Sequence, residues 1–278
     1  MNAGSVARDG EIGARRAATG SAREGAARAG LTARGVIYVL VGLLALRIAF
    51  GDSGGRQADR GGALQEIATK PFGASLLWAL GAGLVGMALW RLSEASFGAA
   101  GQDGGKAGKR LMSAGRCVFY GFVAYSVLAF AAGSRGSGSG DRQSRDVTAK
   151  ALGMPGGQWI VGAAGAGLVV AGGWIAVRAV MRKYHKHLKL GEMSRRVRRA
   201  VDTTGVGGGA ARGVVFAAAG VFAVRAAVEY RPDQAKGMDG TLRSFAGTPM
   251  GPWLLACVAA GLVLFGLFSF AMARWRRV

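Results

Sequence analysis

Side chains that carry acid–base or metal chemistry are scarce in this sequence. Its 278 residues include two histidines and two cysteines, and Asp plus Glu number 15 against 36 Lys plus Arg. His185 and His187 stand within Lys183-Tyr184-His185-Lys186-His187, where two-residue spacing turns them to different helix faces, and no carboxylate or cysteine cluster accompanies them. Neither a metal-ligand set nor a Ser/His/Asp arrangement is expected. Cys117 and Cys257 lack CxxC spacing and read as packing residues. The glycine-rich stretch Gly205–Gly209 is not followed by Lys-Ser/Thr, so it is no phosphate-binding loop. Residues 1–30 offer no apolar core for a cleavable signal peptide. These gaps argue against hydrolase, protease, redox and ATPase chemistry, so the chain is expected to be no enzyme and to use no cofactor or metal.

What the sequence does have is apolar residues, 51% of the total, gathered into blocks. Uncharged runs near the ~17–25 residues that cross a bilayer fall at Arg34–Phe50, Phe72–Trp90, Cys117–Gly133, Gln158–Val177, Gly213–Glu229 and Pro252–Ala273. A soluble bundle would need amphipathic helices for its outer shell, and these runs leave almost none. Six transmembrane helices are therefore expected, with frequent glycines that let helices pack closely in lipid.

The formal charge of +21 is explained by its location. Lys and Arg number 6 up to Arg34, 5 in Arg91–Arg116, 10 in Arg178–Arg212 and 3 after Ala273, against 3, 4 and 3 in the intervening connections. That alternation is the positive-inside pattern. It places both termini in the cytoplasm of a bacterial inner membrane and makes nucleic-acid binding unnecessary as an explanation of the charge.

The spans also repeat. Arg34-Gly35-Val36-Ile37-Tyr38, Arg116-Cys117-Val118-Phe119-Tyr120 and Arg212-Gly213-Val214-Val215-Phe216 share Arg-x-Val-apolar-aromatic, and a Pro-x-Gly follows each Arg by 37, 39 and 37 residues at Pro71, Pro155 and Pro249. Eleven residues beyond each Pro begins Ala-Gly-Leu-Val (Ala82, Ala166, Ala260), and seven beyond its Gly stands Trp90, Trp174 or Phe268. Units with an even number of spans enter the membrane in the same direction, so these are parallel repeats about an axis along the membrane normal. The expectation is an all-α integral membrane six-helix bundle with pseudo-threefold symmetry. Its divisions would be a cytoplasmic tail at 1–25 and two-helix repeats at 26–100, 101–190 and 191–278. The Pro would occupy the first turn of each even span, the even spans would lie innermost through Gly83, Gly167 and Gly261, and the aromatics would sit at the headgroups. Leu64, Thr148 and Leu242, each seven before its Pro, suggest a short outer helix in every repeat.

The Ala-Arg-Gly-Val-aromatic opening at Ala33–Tyr38 and Ala211–Phe216, followed by Pro-x-Gly and Ala-Gly-Leu-Val, resembles the bacterial membrane family known as domain of unknown function 1206. The resemblance runs from about Ala26 to the C-terminus and implies three tandem two-helix units, mostly in actinobacteria, with no established substrate, cofactor or catalytic residue. Cys117 departs from it, replacing the Gly that follows the repeat-start Arg.

Charged residues near or within the spans supply the remaining candidates. Arg34, Arg116 and Arg212 are expected to snorkel to the cytoplasmic interface. Arg47 and Arg225, 13 residues after Arg34 and Arg212, read either as outward snorkelers, paired with Asp52 and Glu229, or as an electropositive vestibule contacting anions or lipid. Arg178–Arg199, with Arg182, Lys183, Lys186, Lys189, Arg195 and Arg196, suits a helix resting on anionic inner-leaflet lipids. A protein partner could dock there instead. A non-catalytic structural or interaction module is the leading functional expectation. A channel or transporter for a small solute comes next, although the spans offer little polar lining, and a lipid-handling enzyme follows.

Overall fold

The computed structural model describes residues 3–51, 57–98, 107–133, 140–246 and 250–276, with side chains from residue 24 onward apart from that of residue 109. Among the described residues, six helices are long and apolar enough to cross a membrane. They belong to α1 (Ala3–Ala49), α3 (Gly73–Phe97), α4 (Ala107–Ala131), α6 (Gly157–Val180), α7 (Arg195–Val228) and α9 (Gly251–Trp275). Three short helices, α2 (Arg60–Ala68), α5 (Gly140–Leu152) and α8 (Met238–Ala246), join the two long helices of each repeat. No strand is present among the described residues, only one β-bridge between Leu188 and Arg276. Helices dominate because hydrocarbon offers no partner for backbone N–H and C=O groups.

Packing runs between repeats as well as within them. The first helix of each repeat lies against the second helix of the preceding one: α4 on α3, α7 on α6 and, closing the circle, α1 on α9. Small residues make these approaches possible. A Cβ on Gly42 would lie 2.8 Å from the Ala259 carbonyl oxygen, and one on Gly220 would lie 2.7 Å from that of Gly165. Gly42 and Gly220 each follow a repeat-start Arg by eight residues, and the middle repeat has Ala124 there. Within repeats, α1 packs on α3 and α7 on α9, but α4 and α6 form no packed interface. The ring thus has five closed contacts and one breach.

The Pro-x-Gly motif acts ahead of the even helices, not as their first turn. Phe72 and Gly156 hold left-handed conformations (φ 62° and 73°), and Gly73 N–H donates to the Lys70 carbonyl at 2.9 Å, as Gly157 does to Met154. Proline second and a left-handed residue third mark a type II turn. The closing glycine is required because a Cβ on Gly73, Gly157 or Gly251 would collide with a carbonyl at the end of the preceding short helix. In the third repeat Pro249 lies outside the described residues, and Pro252 enters the first turn of α9.

The short helices form a cap, with Leu64, Thr148 and Leu242 buried as the repeat spacing suggests. Three aspartates tie them in a cycle. Asp59 accepts from Gly140 N at 2.7 Å, Asp141 from Gly240 N at 3.1 Å, and Asp239 from Ala58 N at 2.7 Å. Each carboxylate sits at the N-terminal end of a short helix, where the dipole favours negative charge. Arg178 and Arg195 mark the opposite, basic end of the molecule.

Candidate functional site

The first helices of the repeats supply most of the residues around the axis, with Leu84 of α3 beside them. Position i+4 from each repeat-start Arg returns to the same helix face, so Arg and aromatic look the same way. Tyr38, Tyr120 and Phe216 converge with Arg34 and Arg212 around a cavity of about 200 Å³, which also reaches Arg60 and Met238 at the cap. The second helix of each repeat turns small residues toward neighbouring first helices, as Gly83 does toward α1, Gly165 toward α7 and Gly261 toward α7.

Arg34 and Arg212 are held largely by aromatic faces. Phe265 of α9 lies under both guanidiniums, 5.2 Å from Arg34 and 4.9 Å from Arg212, and meets Tyr38 edge-on at 4.7 Å between centroids. Arg212 also stands 5.7 Å from the Tyr38 ring and 5.1 Å from that of Phe216. Such contacts are worth ~0.5–2 kcal/mol each, but they satisfy no N–H. Arg34 Nε donates to Ser269 Oγ at 3.2 Å, whereas Arg212 Nε is buried without a partner. The axial cavity carries Arg34, Arg60 and Arg212 and no carboxylate. Burial pushes Arg60 below its usual range, with Asp59 opposing the shift.

Beside the axis, the breach forms a groove of about 760 Å³ between α4 on one side and α6 and α7 on the other, with α5 forming its cap end through Gln143, Ser144, Val147 and Thr148. Phe119, Phe122, Ile160, Ala164, Leu168 and Ala219 are among its apolar walls, and Arg212 and Lys236 are its cations. Phe119, Arg212, Phe216 and Met238 line both spaces, so groove and axis adjoin.

A second cluster occupies the basic end. Arg91 is buried, pairs with Glu94 at 2.6 Å and stacks 4.2 Å from Trp90, whose ring also faces Arg276 at 4.6 Å. Ser113 Oγ donates to Glu94 at 3.4 Å, and Arg110 closes the end of α3 by donating to the Ala95 and Ser96 carbonyls, each at 2.8 Å. Burial, with Arg91 close by, lowers the affinity of Arg276 for its proton.

The pattern of a family described as Domain of Unknown Function (DUF1206) matches the chain three times, at residues 29–98, 111–182 and 207–276. The chain belongs to this family. A relative in Bacillus subtilis (strain 168), "Uncharacterized protein YxxB", is 31% identical over 244 residues, which cover 87% of each chain. No solved structure matches.

The DUF1206 pattern recurs as three tandem units, but individual side chains are placed unequally among them. Of the repeat-start arginines, Arg34 and Arg212 turn inward instead of snorkelling, and Arg116 is exposed, its guanidinium 3.2 Å from Met112 Sδ. Gly83 faces α1, where a Cβ would stand 3.1 Å from the Ala29 carbonyl oxygen, and Gly261 faces Ala211 of α7. Gly167 is exposed, and a Cβ there would meet nothing within 4 Å, because its equivalent neighbour would be α4, across the breach. Two residues earlier, Gly165 makes the close approach to α7. Glycines at the first and eighth positions after Arg34 and Arg212, seven apart and repeated, were the available signal for these contacts.

Arg47 is exposed beside Leu43, Phe50 and Glu66, and Arg225 is exposed on α7 but does not line that surface. Arg225 and Glu229 form no ion pair among the described residues, and Asp52 lies outside them. Nothing brings Arg47 and Arg225 into one vestibule.

The basic segment is not one helix. Arg182 adopts φ 52°, two short 3₁₀ turns follow, and Ser194 caps α7 by accepting from Val197 N at 3.3 Å. Leu188 is buried beneath the end of α9, where Lys189 N–H donates to the Trp275 carbonyl at 2.9 Å. Asp202 gathers Arg182, Tyr184 and His185. Burial followed by this carboxylate raises the Tyr184 pKa. Lys183 lies 5.5 Å from the Trp174 ring, Lys189 pairs with Glu192 at 3.5 Å, and Lys186, Arg195 and Arg196 are exposed. Of the aromatics expected at headgroups, Trp174 is exposed while Trp90 and Phe268 are buried. Cys117 is partly buried and Cys257 exposed, both as free thiols.

Proposed function

We propose that the protein is a non-catalytic interaction module of the bacterial cytoplasmic membrane that receives an amphipathic molecule sideways from the bilayer. The observation that supports this reading is the breach. Repeats 1 and 3 close their helix pairs, and the same contact is absent between α4 and α6, where the groove of about 760 Å³ lies. A lateral opening with apolar walls admits a membrane-dissolved ligand without exposing it to water. The basic segment from Arg182 to Arg196 adds contact with anionic lipid at the cytoplasmic surface, a placement supported by the charge asymmetry of the loops.

Filling the groove tests the proposal. The full chain carrying Ala164→Trp and Ala219→Trp should retain less lipid after detergent purification, read by native mass spectrometry, than the chain carrying Val170→Trp on the outer face of α6. Equal retention would refute the reading. The axial cavity with its three arginines favours one alternative, passage of a small anion. Anion flux into proteoliposomes above that of empty vesicles would support that alternative and count against a static binding module.

A further inference from the structure

We propose that the inner end of the groove is a phosphate site, in which the guanidiniums of Arg34 and Arg212 and the hydroxyl of Tyr120 hold the anionic headgroup of a lipid whose acyl chain lies along α6. This proposal rests on the reading of the groove as a binding site.

Charge carries the argument first. Uncompensated cations at membrane depth are costly and therefore point to function. Of the cations around the axial cavity and groove, Arg34 and Arg212 lie within spans, while Arg60 and Lys236 lie at the cap, where Asp59 and Ser244 adjoin them; among the described lining residues none is Asp or Glu. The other arginine clusters differ in holding a carboxylate: Arg91 has Glu94, although Arg91 Nε and Arg276 Nε are also buried without an acceptor, and Arg47 shares its surface with Glu66. Around Arg212 the protein provides aromatic faces only, and its buried Nε lacks an acceptor. A phosphate oxygen supplies what is missing, since guanidinium and phosphate form charge-assisted, often bidentate hydrogen bonds.

Dimensions select a lipid over a soluble ion. Gly172 of α6 touches Gly213, next to Arg212, and α6 ends at Val180. At ~1.5 Å per residue Arg212 therefore stands ~12 Å from the basic end of α6 and ~22 Å from its cap end. The first distance puts the headgroup below the membrane surface and within reach of the basic-end leaflet. The second exceeds the ~15 Å half-thickness of the hydrocarbon core, so one acyl chain fits along Leu168, Ala164 and Ile160. Entry needs no opening of the ring, because α4 and α6 already stand apart.

The test uses the full chain in nanodiscs of phosphatidylcholine containing a minor fraction of phosphatidylglycerol, with bound lipids identified by native mass spectrometry after release. Wild type should retain phosphatidylglycerol preferentially. Arg34→Gln with Arg212→Gln should lower that preference roughly tenfold or more, the scale of losing charge-assisted contacts, while total retained lipid stays constant. Arg34→Lys with Arg212→Lys should keep most of it. Full preference in the glutamine variant would overturn the proposal. Should that variant not fold, Arg212→Gln alone decides: a smaller rise in melting temperature from phosphatidylglycerol than in wild type supports the site, and an equal rise overturns it. Displacement of the bound lipid by excess inorganic phosphate would reassign the site to a soluble anion and overturn the lipid assignment. Loss of headgroup preference with lipid still bound separates this site from the groove, whose own failure shows as unchanged retention in the tryptophan variants.

Discussion

Two glycines on one helix, two residues apart, offer a sharp prediction because the same substitution meets opposite surroundings. At Gly165 a Cβ would lie 2.8 Å from Val224 N, 2.9 Å from Val224 Cγ2 and 3.0 Å from the Gly220 carbonyl oxygen, whereas at Gly167 it would meet nothing within 4 Å. Two of the three obstacles are backbone atoms and cannot rotate away, so Gly165→Ala forces α6 and α7 apart. Overpacking of this kind costs ~1–3 kcal/mol. Both substitutions gain the same ~0.8–1 kcal/mol of helix propensity, which cancels when the two variants are compared. Gly167→Ala should therefore be neutral or slightly stabilising, and Gly165→Ala should be ~1–3 kcal/mol less stable than it. At ~2–4 °C per kcal/mol for a chain of this size, melting temperatures in one detergent should differ by ~2–12 °C. Equal melting, or a lower value for Gly167→Ala, would refute the helix pairing and the position of the breach.

Asp59 is buried and accepts from Gly62 N and Gly140 N, at 2.9 and 2.7 Å. Asp59→Ala leaves both donors unpaired and should cost ~2–4 kcal/mol in thermal unfolding, with Asp59→Asn nearer wild type. Arg91→Met should lower stability by ~3 kcal/mol by stranding Glu94, and adding Glu94→Leu should restore much of it in a double-mutant cycle. His187 has a pKa below its ordinary 6.5, held down by desolvation and by Arg276, Arg178 and Lys186. The folded state thus prefers neutral His187, so its contribution is present above pH ~6.5 and lost as pH falls through the lower folded value. His187→Gln should flatten that acid-side slope in melting curves.

The six spans, their threefold repetition and the short cap helices were legible because hydrophobic length and fixed spacing report directly on elements. Leu64, Thr148 and Leu242 show this at single-residue scale. Which helix meets which was not legible, since a repeat gives equivalence and not orientation. Arg34 and Arg212 illustrate the consequence: the same helix end permits a guanidinium to reach the surface or the axis, and the choice depends on α9 placing Phe265 between them. Gly167 failed for a related reason. Its counterparts Gly83 and Gly261 face the first helix of their own repeat, and only the middle repeat lacks that contact. The cap cycle was hidden because Asp59, Asp141 and Asp239 stand at unequal distances, 12, 14 and 10 residues, before their prolines.

The ring order of the helices is tested most directly by disulfide cross-linking in native membranes, in the full chain with Cys117→Ser and Cys257→Ser. Single cysteines along α1 paired with single cysteines along α9 should cross-link efficiently, although these are the first and last spans, while pairs between α4 and α6 should not. Efficient α4–α6 cross-linking together with none between α1 and α9 would contradict the architecture and remove the groove.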